Sequence, residues 1–144
     1  MLFSEQQLYS DNQAITATAA STNALDHLAA LTPTNGAAAV EKDLGKGNPV
    51  PISVRVTEAF NTLTSLIITM ETSGTTGFTS AATVYTETVP LADLVVGKDL
   101  NMRFIPKGTG QRYTRLKYTV SGSNPTTGKI HAGVVCGQDD SWGA

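Results

Sequence analysis

The chain has one cysteine, Cys136, one tryptophan, Trp142, and two histidines, His27 and His131, in 144 residues. A single thiol excludes an internal disulfide framework and fits a protein made and kept in a reducing compartment. No stretch approaches the ~20 apolar residues of a membrane helix, and the start, MLFSEQQLYSDNQ, has neither the basic flank nor the apolar run of a signal peptide. No membrane partner and no export by that route are expected. Asn-x-Ser/Thr with x other than proline is also absent, so a glycosylated extracellular reading gains nothing.

Chemistry-bearing patterns are equally scarce. The two histidines stand in no H-x-H or H-E-x-x-H spacing, and His131, between Ile130 and Ala132, reads as a polar neighbour on a strand face. Cys136 continues the face of Ile130, Ala132 and Val134, which points it at the core as a buried, unactivated thiol. The stretch DLGKGNP resembles a phosphate loop only in part. The motif's leading glycine is missing five places before Gly45, where Val40 stands, and Lys46 is followed by Gly47, so the glycines read as turn formers. Asp139 and Asp140 lie in a polar tail and read as a solvated end. No catalytic residue, metal or cofactor is expected, and a net charge of -2 with a broken basic set argues against nucleic acid.

What the chain does have is segregated charge. Residues 1–97 carry three basic and nine acidic side chains, whereas residues 98–129 carry seven basic ones against Asp99 alone. Two readings stay open at this level: neutralisation within one folded chain, or separate acidic and basic patches on a protein that docks.

The chain is also rich in strand signals. PISVRVTEA alternates Ile52, Val54 and Val56 with polar residues; LTSLIITMET (63–72) reads as an interior strand; ATVYTETV (82–89), DLNMRFI (99–105), RYTRLKYTV (112–120) and KIHAGVV (129–135) follow, separated by Gly/Pro/Ser turns. Residues 13–28 favour a strand through their threonines, with a further short strand near 24–28, and PLADLV (90–95) allows a turn or two of helix. In DLNMRFI, Leu100, Met102 and Phe104 share one face. The expected fold is all-β: an antiparallel, jelly-roll-like β-sandwich of seven or eight strands over residues 12–136, with an N-terminal arm at 1–11, a long loop at 29–49 and a polar tail at 137–144.

In RYTRLKYTV, Tyr113, Arg115 and Lys117 fall on the face opposite Leu116 and Tyr118. Tyrosine and arginine are the residue types that carry interface energy, and reversing the charges of Arg115 and Lys117 is expected to spare the fold and reduce binding. Leu2, Phe3, Leu8 and Tyr9 are apolar residues in the arm, and Trp142 in the tail buries much apolar surface only by folding back or docking. These eight are the candidate interface residues.

The segments FSEQQLYSDNQAITATAASTNALD, DLGKGNPVPISVRVTEAFNTLTSLIITMET, FIPKGTGQRYTRLKYTVSG and GKIHAGVV are similar, in that order, to the small capsid cement, or decoration, proteins of tailed bacteriophages of the Bordetella podophage type. The resemblance implies a jelly roll that assembles as a homodimer or homotrimer in the host cytoplasm and on the exterior of the virion. There it clamps neighbouring major capsid subunits, with no catalytic motif to transfer. The tail after Val135 lies outside the resemblance. Two readings from other classes stand behind it: a jelly-roll carbohydrate-binding module, which needs an exposed aromatic platform, and a small enzyme on a cupin-like scaffold.

Overall fold

The computed structural model describes residues 2–27, 35–36 and 43–136. Eight strands occur in them: β1 Phe3–Ala14, β2 Ala19–Ala20, β3 Leu25–Asp26, β4 Ile52–Glu58, β5 Leu63–Ser73, β6 Ala82–Pro90, β7 Tyr113–Gly122 and β8 Lys129–Val135. The helical content among the described residues is one 3-10 turn, Leu91–Asp93, at the place where the sequence allowed a turn or two.

All pairings are antiparallel. One sheet runs β1-β8-β4; the other runs β2-β7-β5-β6, with β3 also on β7. The predicted strand at 99–105 is not a regular strand, but it still lines the free edge of β4. Isolated bridges join Arg55 to Asp99 and Pro51 to Phe104. Backbone bonds run from Leu100 N to Val54 O at 2.9 Å, Ile52 N to Arg103 O at 2.9 Å and Ile105 N to Val50 O at 3.1 Å. The pairing is therefore nested: β1 with β8, β2 and β3 with β7, β4 with 98–105, and β5 with β6. That is the wound order of a jelly roll, whose two sheets make an antiparallel β-sandwich.

Alternation places the core. Ile52, Val54 and Val56 of β4 and Ile130 and Ala132 of β8 face Leu66, Ile68 and Met70 of β5 and Leu116 and Tyr118 of β7, all essentially buried. Each such aliphatic side chain contributes about 1.5–3 kcal/mol on leaving water. Leu100 and Met102 join them as expected, but Phe104 does not. The alternation breaks after Met102, Ile105 turns inward and Phe104 is exposed. Cys136 is another departure: β8 ends at Val135, and the thiol one residue further is exposed.

The expected arm at 1–11 is instead most of β1, hydrogen-bonded along β8. Its register with β8 shifts three times, between Phe3 and Leu8, Leu8 and Ser10, and Ser10 and Gln13. Each shift reverses which side chains point inward, so no period of two survives in the sequence to announce the strand. Downstream, the predicted strand from residue 13 is reduced to the end of β1 and the two-residue β2, while β3 at Leu25–Asp26 is the short strand expected near 24–28. Of the expected loop at 29–49, residues 29–34 and 37–42 lie outside the described residues, as does the tail at 137–144.

Candidate functional site

The outer face of β7 brings Tyr113, Arg115 and Lys117 together as predicted, with β5 beside it in the register Ser73–Tyr113, Glu71–Arg115 and Thr69–Lys117. Their charges are answered within the chain. Arg115 donates from Nε to Glu71 Oε2 at 2.8 Å, and Lys117 Nζ lies 4.0 Å from the other oxygen of the same carboxylate. The Arg115 guanidinium also covers the Phe78 ring, 4.2 Å from its centroid. Phe78 is buried with φ of 52°, a left-handed backbone that a bulky side chain adopts only when its surroundings hold it there. Arg115 thus serves the fold: it pairs a nearly buried carboxylate and lids a strained aromatic. Charge reversal at this position should therefore cost stability, where strand period alone predicts that it spares the fold.

The segregation of charge along the chain has the same explanation. Arg112 holds Asp26 with two bonds of 2.8 Å and lies over the Tyr113 ring; Lys129 lies 3.0 Å from Glu58; and Arg55 holds Asp99 at 2.8 and 2.6 Å. Nested pairing sets strands of the acidic half against strands of the basic half, so these charges neutralise between neighbours. Hydrogen bonding to Arg55 is the first cause that holds the Asp99 carboxyl below its ordinary range, with burial opposing.

At the N-terminus the four apolar candidates separate. Leu2 is exposed; Phe3 is half-buried, edge-on to His131 with ring centroids 4.5 Å apart; Leu8 is buried over Gly133, where an added Cβ would stand 2.7 Å from Leu8 Cδ2. Tyr9 is fully buried in the core, where its hydroxyl shares a 2.8 Å hydrogen bond with Thr114 Oγ1, an atom also 2.7 Å from His27 Nε2. Ser10 Oγ donates to Gln13 Oε1 at 2.7 Å, so the 2.8 Å bond between Ser10 and Tyr118 uses the tyrosine's proton. Burial pushes the Tyr9 phenol up to about 12 against the opposing pull of Thr114, and it pushes Tyr118 up as well, against Ser10. Leu8 and Tyr9 are therefore core-building residues, not contacts for a neighbour, and Trp142 lies outside the described residues.

His131 is the strand-face neighbour expected of it, with Nδ1 3.4 Å from Asp11 Oδ1. Among the described residues no three of His, Cys, Asp and Glu are grouped to hold a metal. The DLGKG stretch is a clamp. Asp43 accepts from Gly45 N and Gly108 N, each at 3.0 Å, and from Thr109 Oγ1 at 3.3 Å; the Gly108 bond is the first cause of a carboxyl held below its ordinary range. Gly45 packs directly on the backbone of Pro106 and Lys107, leaving no room for a Cβ. A cleft of about 480 Å³ opens nearby, lined by Leu25, His27, Leu44, Val50, Ile105 and Val134 among others.

One surface was not legible in the sequence. Among the described residues the exposed large apolar side chains are Leu2, Val95, Val96 and Phe104, at 69, 51, 67 and 46 % exposure. Three of these four belong to the stretch leading into and along 98–105, in company with Lys98, Arg103 and Lys107, all exposed. Strand period assigns Phe104 to the core, which hid the grouping.

A family model, Bbp16, matches residues 9–134, nearly the whole of the sandwich. That family's name suggests a protein of a Bordetella phage. Among curated proteins no match is found.

Proposed function

The chain belongs to the Bbp16 family, and from that membership we propose that it is a cement, or decoration, protein of a phage virion. In this reading it sits on the outer surface of an icosahedral head as a homodimer or homotrimer. It ties neighbouring major capsid subunits together, with no catalysis and no cofactor. The observation that carries the reading is the wound jelly-roll order in a member of a phage family, since jelly rolls recur as capsid domains. The nested ion pairs and Gly45 clamp suit a rigid block that must hold its shape against a shell.

The carbohydrate-binding alternative loses support from the aromatics. Tyr9 and Tyr118 are buried, Tyr85 packs against the core and Tyr113 lies beneath Arg112, so among the described residues Phe104 is the one exposed aromatic, short of the several rings that make a sugar platform.

The test is direct. Purified phage particles, resolved on a gel, should contain an abundant 15.1 kDa band. Heads stripped of that band should take up the recombinant protein to saturation. A particle with no such band, together with stripped heads that bind none of it, refutes the reading.

A further inference from the structure

The edge formed by residues 95–107 has the two properties that the outer face of β7 lacks. The first is unanswered charge. Among the described residues neither Lys98 nor Lys107 has a carboxylate within ion-pair distance, whereas Arg112, Arg115, Lys117 and Lys129 each have one. Asp99, the one acid within the stretch, is held by Arg55. Nearby, Glu87 is engaged by Asn101 N and Nδ2, and Asp93 precedes the stretch on the 3-10 turn. The second property is apolar exposure, through Val95, Val96 and Phe104. Hydrogen bonds to β4 lay residues 98–105, with Lys98 and Phe104, along one sheet edge over about 20 Å; Val95 and Val96 stand in the turn that leads into it and Lys107 two residues past it. Apolar side chains scattered singly on a surface mean nothing, but several of them grouped with unpaired cations mark a place where a partner replaces water.

The composition also selects the partner. A phosphate-tracking surface is a stripe of Arg and Lys with polar neighbours, on a protein of positive charge. Here three of the eight exposed residues, Val95, Val96 and Phe104, are aliphatic or aromatic, and the chain carries -2 overall. Apolar anchors ringed by cations match the pattern of a protein interface whose other side is acidic. We propose that the edge at 95–107, and not the outer face of β7, is the docking surface of this protein. Its partner is then an acidic protein surface with an apolar hollow that receives Phe104. The proposal rests on the cement reading, under which that partner is the major capsid protein.

The experiment uses heads stripped of the protein and three full-length variants: Lys98→Glu with Lys107→Glu, Phe104→Ser, and Lys117→Glu as a control on β7. Thermal unfolding establishes that each is folded; should the double charge variant fail to fold, Phe104→Ser and the salt response of the wild type carry the test. The edge variants should lose at least about tenfold in affinity for the heads, the loss seen when an interface anchor is removed. Lys117→Glu should bind within about twofold of wild type, and wild-type binding should weaken as NaCl is raised. Wild-type affinity in both edge variants overturns the proposal and leaves the cement reading standing. No binding by the wild type itself overturns both. Binding to random-sequence duplex DNA that the edge variants abolish, with their uptake by heads unchanged, assigns the edge to nucleic acid instead.

Discussion

Arg115 and Lys117 look alike in the sequence, two cations on one face of one strand, yet they have different weights in the molecule. Arg115 is about a quarter exposed, bonds a nearly buried Glu71 and covers Phe78, whereas Lys117 reaches the same carboxylate only at 4.0 Å from a more open position. Arg115→Ala should therefore cost about 2–3 kcal/mol in denaturant unfolding, since it strands a carboxylate and uncovers a strained ring. Lys117→Ala should cost under about 0.5 kcal/mol, as exposed pairs do. The difference was not legible because Glu71 lies 44 positions away in sequence. Tyr118, by contrast, was legible: alternation alone put it in the core. Its phenol and that of Tyr9 lead to a pH prediction. Both stay protonated in the folded chain beyond the ordinary tyrosine range, with Tyr9 held up to about 12, while in the unfolded chain they ionise near 10. The resulting stability is present in full below pH ~10 and is lost as pH rises through the folded values. Unfolding free energy measured from pH 8 to 12 should fall along that limb, and less steeply in Tyr9→Phe, which has no proton there to lose.

At the scale of elements, β4, β5, β7 and β8 were readable because alternate residues are buried through the middle of each, at 52–56, 66–70, 114–118 and 130–132, so the period of two shows. β1 was not, and the 99–105 edge was readable only as far as Met102, for one physical reason: where register slips, inward and outward positions exchange and the pattern erases itself. That β1 is a strand of the sheet and not a free arm can be measured. Removal of an exposed arm would change assembly and leave the domain intact. Deletion of residues 2–11 instead takes the buried Tyr9 and Ser10 out of the sandwich, leaves the Tyr118 hydroxyl without Ser10 and bares the edge of β8. The truncated chain should show no cooperative thermal transition by circular dichroism. A sharp transition within a few degrees of the full-length chain would mean that β1 is dispensable.

For the molecule as a whole, nested pairing makes each half of the chain the other's template. β1, β3 and β4 find their neighbours in β8, β7 and the 98–105 edge, so residues 1–77 contain strands whose partners are mostly absent. Expressed alone, this half should remain unfolded by amide NMR dispersion, and it should gain structure only on mixing with residues 78–144. The intact chain must close its longest loops before its sheets repay them, so it should refold in milliseconds to seconds, in the range of all-β sandwiches. The same winding ties Cys136 N to Leu2 O at 2.9 Å, on the β1 side of a sheet whose opposite side is the 98–105 edge. Three strand spacings, roughly 14 Å, separate the two sides. Under the docking proposed above, the exposed Cys136 thiol is an address on the side of the sheet opposite the 98–105 edge. A maleimide-linked dye or peptide attached there would stand outward from every copy on a decorated head, turning a structural component into a regularly spaced display lattice.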